Sequence, residues 1–559
     1  MKRRKIMIKY SITAFALLAS FAVNAQDSDS LNSDPNLQKT VHVITEYEPS
    51  ISDANRINNL PQLEDTLTVK PTFKYSIVSK PIHPIFEVTP INAAKMKGEP
   101  LTRLYRGIFT GALGNYMSTL ANLQLTSIRS KKVFVSSEFN HQGAFNDVKD
   151  GGKKVPSTYS DNFAKISAKR FIENKVIYGE IGGKYDMYHA YGNQPFSSNV
   201  YTRKEIQKQY TWANVSVGLK TLYLDSGKFN YDIKPFFALF NAKSETETNA
   251  GLDAELEKLF GEQAISGLAK VEYHGNNGDI MAPTTEIMLN PFASMYSDKL
   301  SGKVGFSTQL FMGGFEKFHL HPDVYAEYKL ADNIFTPYIA CNGKSMWSGM
   351  DKLVAENPYI TEGIYIKPEN TKINVTGGVK GLLTNFVPYN LSASYSQIEN
   401  MHMFVANSGS TDNSYSVICD TANVFNFHSE LGFKKLEKIN MTFKFDYFSY
   451  AMKNQTKAWQ KPSLITTLNL RYNLQNKIVV NFDVFYVGDR DALDIATSTE
   501  TKAKGFVDVN LGVEYRYTKR LSGFVNLNNI AAQNYQYWSY TPVQRFNALF
   551  GFSYSFWGE

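Results

Sequence analysis

The dominant regularity along the chain is a strict alternation of apolar and polar residues. Val507, Val509, Leu511, Val513, Tyr515 and Tyr517 fall on one side of an extended segment, with Asp508, Asn510, Gly512, Glu514 and Arg516 on the other. Ile439, Met441, Phe443, Phe445 and Tyr447 alternate in the same way with Asn440, Thr442, Lys444 and Asp446. Ile478, Val480, Phe482, Val484 and Tyr486 alternate with Val479, Asn481, Asp483 and Phe485, and Leu468, Leu470 and Tyr472 with Asn469, Arg471 and Asn473. Successive side chains of a strand point to opposite faces, so a period of two predicts strands with one apolar and one polar face.

Such strands suit a soluble one-sided antiparallel sheet as well as a membrane wall. Three features select the wall. The segments run to about ten residues or more, the length that crosses a bilayer when tilted. Connections alternate between tight and long, as in barrels with short periplasmic turns and longer external loops. Tyr and Phe recur near segment ends, where amphipathic rings settle at a membrane interface. Beyond residue 25 no apolar run reaches the roughly 18 residues that a spanning helix needs. Every backbone donor in lipid must be paired, so strands span only as a closed barrel. The fold class is therefore all-β, a transmembrane antiparallel β-barrel of about 20 strands, within a range of about 16 to 22.

Tight turns are expected at Glu173–Lys175, Asp225–Lys228, Asp298–Gly302, Val387–Asn390, Gln475–Lys477 and Lys519–Leu521. Long connections are expected at His141–Asp161, Tyr191–Gln209, Asn241–Thr284, Asn342–Thr371, Met403–Val424, Met452–Ser463, Gly488–Lys504 and Asn529–Gln544. Within the longest, Leu252–Phe260 carries apolar residues at helical spacing and predicts a short amphipathic helix. Met350–Glu356 predicts another, ending before Asn357-Pro358. These external loops are expected to carry specificity.

Composition changes the picture at the N-terminus. Basic residues Lys2, Arg3, Arg4, Lys5 and Lys9 precede an apolar stretch from Ile12 to Val23, followed by Ala25. This is the pattern of a secretory signal peptide cleaved after Ala25. Removing those five charges from the formal net charge of +7 leaves +2, which excludes a nucleic-acid partner. Residues 26–103 hold eight of the twenty prolines and predict an extended, irregular segment that is periplasmic or enters the lumen. The division is thus 1–25 signal peptide, 26–103 proline-rich segment and 104–559 barrel with long extracellular loops. Two cysteines, Cys341 after a strand and Cys419 in a long loop, exclude a disulfide scaffold.

Candidate chemistry is sparse. No nucleotide-binding glycine loop, GxSxG or HExxH is present, so neither an enzyme nor a cofactor is expected. His319 and His321 share a face but lack a third ligand. Asp489, Asp491 and Asp494 after Gly488 form only a faint cation loop. The polar faces supply candidate luminal charges: Lys444, Asp446, Arg471, Asp483, Asp508, Glu514 and Arg516.

The C-terminus carries a nameable resemblance. Phe546, Ala548, Phe550, Phe552, Tyr554 and Phe556 alternate and end on an aromatic residue. This resembles the signal that the barrel-assembly machinery reads in outer-membrane proteins, with Phe552, Tyr554 and Phe556 as its core. Here the chain continues through Trp557, Gly558 and Glu559. Asn526-Leu527-Asn528-Asn529, then Tyr535, Trp538, Tyr540, Pro542 and Arg545, are similar to the closing hairpin of TonB-dependent receptors. Leu104–Tyr116 suits the first strand of such a barrel, and Lys39–Thr45 loosely resembles a TonB box. That family also carries a folded N-terminal plug, for which 26–103 is too short and too irregular.

The resemblance implies an outer-membrane receptor-like barrel that binds or transports a solute. The alternative is a plugless structural or accessory subunit of a multi-protein secretion or assembly complex. The implied partners are outer-membrane lipid, the assembly machinery during insertion, and other outer-membrane or periplasmic proteins through 26–103 or the long loops.

Overall fold

The computed structural model describes residues 105–127, 130–150, 152–191, 202–277, 282–331, 333–364, 367–407 and 414–558. The signal peptide and its cleavage after Ala25, the segment 26–103 and the run Lys39–Thr45 lie outside the described residues.

Twenty-two antiparallel strands form one closed wall, each hydrogen-bonded to its neighbours in sequence. The first strand, Tyr105–Gly114, pairs with the last, Asn547–Gly558, and so closes the barrel with no free edge. At this seam Gly107 lies opposite Phe556. A Cβ at Gly107 would stand 2.3 Å from the Phe556 ring, so the glycine is what lets that ring lie across the neighbouring strand.

The faces follow the alternation. On Phe506–Arg516 the exposed side chains include Val507, Val513 and Tyr515, while Asp508 and Asn510 are buried. On Lys175–His189, Ile177 and Ile181 face outward. Apolar residues on the outside and polar ones within are the signature of a wall surrounded by lipid. Tyr223, Phe229, Phe260, Tyr296, Tyr328, Tyr517 and Trp557 are exposed beside the tight turns or the chain end. They form an aromatic girdle at the short-turn end, where rings sit between hydrocarbon and water.

Twenty-two stands at the upper end of the expected range, and the additional strands have a local cause. Asn241–Thr284 is not one loop, because Thr246–Phe260 and Gln263–Asn276 are strands joined through Gly261, which adopts a φ of 63°. Leu252–Phe260 is correspondingly extended rather than helical. Leu252, Leu256 and Phe260 recur every four residues, a spacing that satisfies both the helical and the two-residue period. Here all three face outward. A second tight connection, between Gly313 and Lys317, also separates two strands.

Met350–Glu356 is helical as expected, and Asn357 caps it. Cys341 lies within the strand Thr336–Met346 and Cys419 within Tyr415–Lys435, rather than after a strand and in a loop; both are free thiols. The Met403–Val424 connection is mostly strand, since Val387–Ala406 and Tyr415–Lys435 run 20 and 21 residues. This hairpin continues past the end of its neighbour Glu369–Thr384, whose pairing with it stops at Asn370↔Glu399. A second hairpin, Arg490–Asp494 with Thr499–Ala503, fills the connection after Val487 and bridges to the first at Ala406↔Asp494.

Candidate functional site

Two regions carry the chemistry: the inward faces of the strands, and the loops at their external ends. The predicted luminal charges are distributed along the inward faces; Lys444, Asp446, Asp483 and Arg471 meet partners on the neighbouring strand, and the other three have theirs elsewhere. Lys444 lies opposite Glu430 with a 3.3 Å ion pair, and Asp446 opposite His428 at 2.7 Å. Asp483 accepts from Asn469 Nδ2 at 2.7 Å, and Arg471 donates to Asn481 Oδ1 at 3.4 Å. Glu514 and Arg516 pair with each other along one strand at 3.5 Å. Asp508, fully buried, accepts from Tyr535 Oη at 2.5 Å. Opposite charges facing across a ladder stabilise neighbouring strands, so these groups build the wall as well as lining it.

The external ends are packed around rings. Tyr188, Tyr210 and Phe240 are buried at the ends of their strands together with Met350, Leu353, Tyr359 and Ile360 of the helical loop, Phe404 and Tyr415 of the long hairpin, and Trp538. Trp538 stands edge-on to Phe404 at 5.0 Å, and Tyr359 edge-on to Tyr188 at 6.3 Å. Such tilted pairs add to the burial of their area.

Polar tips are tied to backbone. Tyr210 Oη donates to Pro358 O at 2.9 Å, and Lys208 Nζ to Ile360 O at 3.1 Å. Arg490 donates to the carbonyls of Tyr537 and Gln536, the latter at 2.8 Å. Tyr415 Oη donates to Ser539 O.

Carboxylates position the helix at both ends. Glu247 accepts from Met350 N at 2.6 Å and Asp351 N at 3.2 Å, satisfying amides that a helix start leaves open. At the other end Glu356 meets His402 Nε2 at 2.6 Å and Lys461 Nζ at 3.2 Å, while His402 Nδ1 lies 3.1 Å from Glu369. Burial opposes both charges, but Lys461 and His402 hold the Glu356 carboxyl down at about 2. Glu356 and Glu369 hold the His402 imidazolium up at about 9. This latch joins the helical loop, the long hairpin and the connection after Met452.

The remaining sequence candidates do not assemble into a site of their own. His319 and His321 are buried and stacked at 5.7 Å, with His321 Nε2 2.8 Å from Asn370 Oδ1. Asp489 accepts from Gly505 N, Asp491 pairs with Lys457 at 3.2 Å, and Asp494 accepts from Ala496 N. The three aspartates therefore shape the hairpin instead of converging as a cation loop. Phe552 and Tyr554 face outward, with Phe552 5.8 Å from Phe109 across the seam, and Phe556 lies 4.6 Å from Trp557. The aromatic cluster and the latch were not visible in the sequence. Their members lie up to about 350 residues apart, and no local pattern in the sequence signalled them.

The architecture is that of the TonB-dependent receptor barrels. Among solved structures the chain is similar to the FrpB iron transporter from Neisseria meningitidis (F3-3 variant), with a TM-score of 0.64, 10% identity and 82% of each chain covered. It is similar to the ferric-catecholate import receptor Fiu from E. coli K12, with a TM-score of 0.60, 10% identity, and 81% and 82% covered. It is also similar to the pyoverdine outer-membrane receptor FpvA from Pseudomonas aeruginosa PAO1, with a TM-score of 0.60, 12% identity, and 81% and 79% covered. No family model matches the sequence, and no curated protein matches it. At these identities the likeness establishes the fold.

Proposed function

We propose that this chain is an outer-membrane receptor that binds a small solute, of the metal-chelate or metal-ion kind, at its external loops and admits it through the barrel. The observation that carries the reading is a 22-strand wall with a polar, charge-lined interior. Barrels of eight strands fill with their own side chains, whereas much larger ones enclose a channel or a plugged lumen. The solute class is suggested by the fold neighbours, which include an iron transporter, a ferric-catecholate import receptor and a pyoverdine receptor. Export follows from the signal pattern ending at Ala25, and Phe552, Tyr554 and Phe556 serve as the assembly signal. Residues 26–103 take the place of a plug and restrict the lumen.

The test is binding of a ferric catecholate, ferric pyoverdine and Cu²⁺ to the full mature chain in detergent, by tryptophan fluorescence and calorimetry. Saturable binding of one of them, with uptake into proteoliposomes, is expected. No binding by any, together with purification as a fixed-stoichiometry member of a larger complex, would overturn the reading. Deleting residues 27–100 should raise single-channel conductance in planar bilayers; unchanged low conductance would assign the closure to the external loops.

A further inference from the structure

The strands Gln263–Asn276 and Thr284–Tyr296 bring three ligating side chains together on their inward faces, near the external ends. Glu272 and Glu286 are direct partners in register, and His274 lies two residues beyond Glu272 on the same face. One ligand atom from each of the three lies within 4.8 Å of the others. Like charges directly opposite on neighbouring strands destabilise a sheet, so the two carboxylates call for positive charge, which the Lys270 ammonium beside them supplies in part.

His274 points to what supplies the rest. Its side chain is only 3% exposed and its ring stacks on Trp347 at 4.4 Å and 7°. Nδ1 lies 2.9 Å from Asn249 Oδ1, and an amide oxygen only accepts, so Nδ1 carries the proton. In the neutral ring Nε2 is then a bare lone pair. It is buried without a hydrogen-bond partner and stands 3.6 Å from Glu286 Oε2. A lone pair facing a carboxylate is repulsive, so either a second ring proton, which would make this an ion pair, or a metal ion sits between them, and zinc titration separates the two. An imidazole whose other N–H is held by a carbonyl oxygen is the usual arrangement of a metal-ligating histidine.

We propose that Glu272, His274 and Glu286 form a site for a divalent transition-metal ion of the zinc type. One imidazole nitrogen and two carboxylate oxygens suit such an ion, whereas calcium takes oxygen alone and Cu(I) prefers sulfur. Ligand bonds of about 2.0–2.2 Å would draw the three donor atoms to about 3.4 Å apart; Glu272 Oε1, which lies 3.9 Å from Nδ1, would have to turn toward Nε2 to join them. Gln309 Nε2 donates to Glu286 Oε1 at 2.9 Å, which leaves Oε2 for the ion. The ammonium of Lys270 contacts Glu272 and lies 4.0 Å from Glu286 Oε2, and Lys344 is a second cation close by. Lys270 holds the place of the ion in its absence and is exposed enough, at 29%, to swing into the lumen. Three protein ligands leave a fourth tetrahedral position for water or for a donor atom of a passing solute.

The site does not depend on the transport reading, and its test uses zinc alone. The untagged mature chain, stripped with chelator in detergent, is titrated with Zn²⁺ by calorimetry, and folding of each variant is checked by heat-modifiable migration in SDS gels. We expect one zinc per chain. His274→Asn and Glu286→Gln should each lose it, and Asn249→Ala should weaken it by about 10- to 100-fold through the orienting bond. Lys270→Met should strengthen it by removing the competing ammonium, and His321→Asn should leave it unchanged. Absence of binding in the wild type and in Lys270→Met would make the cluster a lysine-neutralised ion pair and overturn the proposal. Binding lost in His321→Asn but kept in His274→Asn would do the same.

Discussion

On the strand Phe506–Arg516 the exposed side chains include Val507 and Tyr515, and the most deeply buried is Asp508. Around Trp538, only a short way along the chain, the order is reversed: rings of Phe404, Tyr415 and Tyr537 are turned together and polar tips reach outward to backbone carbonyls. The difference lies in the solvent. The wall is surrounded by hydrocarbon, so its apolar face gains nothing by hiding and its polar groups must pair within. The external loops stand in water and are held by ordinary hydrophobic burial. One chain therefore folds by two opposite rules, and each rule predicts its own way to fail.

The largest effect is expected in the loops. Trp538→Ala removes a buried ring that touches Phe404 and Tyr415. It should cost about 3–5 kcal/mol of local stability, as buried aromatic truncations do. Hydrogen exchange should rise around residues 350–360 and 404–415 while the strands toward the short-turn end stay protected. Uniform loosening of the whole barrel would mean that wall and loops are not separate in stability.

In the wall, Val509→Arg places a charge on the lipid face near mid-strand, at about 2–4 kcal/mol. Refolding yield into lipid vesicles should drop sharply. The same substitution in a water-facing loop would be mild, so an unaffected yield would break the contrast.

A smaller effect is expected from pH at the latch. The folded pKa of His402 is raised from 6.5 to about 9, so its contribution is complete below about pH 6.5 and is lost as pH rises through 9. That of Glu356 is lowered from 4.5 to about 2, so its contribution is present above about pH 4.5 and is lost as pH falls toward 2. Fluorescence of the buried loop tryptophans should therefore show an alkaline transition that His402→Gln removes. Persistence of that transition in the variant would place its origin elsewhere. The smallest effect is Asp508→Asn, which keeps an acceptor for Tyr535 and should cost below about 1 kcal/mol in vesicle refolding. A cost exceeding that of Val509→Arg would invert the assignment of faces.

The same contrast explains what the sequence made legible. Strands such as Val507–Arg516 could be read because a lipid-bathed wall imposes its period residue by residue. The segment Leu252–Phe260 has a four-residue spacing that fits both periods, and only its pairing with Asn230–Asn241 and Gln263–Asn276 decides for the strand over the expected helix. Met350–Glu356 is legible as a helix, and its flanks help to explain why. Asn357-Pro358 stops it, and its apolar residues Met350, Leu353 and Val354 form one buried stripe. The latch of Glu356, His402 and Lys461 was illegible, since no local pattern links residues 46 and 59 positions apart. The cluster of Glu272, His274 and Glu286 was hidden for a related reason. Its members lie in or beside a stretch whose sequence pattern suggests a long connection, and the register that brings them together exists only because that stretch forms two strands.

The most direct test of the account is a spin-label scan of residues 507–516 in the full chain reconstituted into lipid, with Cys341 and Cys419 replaced by serine. The account predicts that labels at 507, 509, 511, 513 and 515 are relaxed by oxygen dissolved in the bilayer. Those at 508, 510, 512, 514 and 516 should respond to a water-soluble nickel chelate, giving a clean period of two. A reversed phase, or equal access of both reagents along the strand, would contradict a lipid-facing apolar wall around a polar lumen.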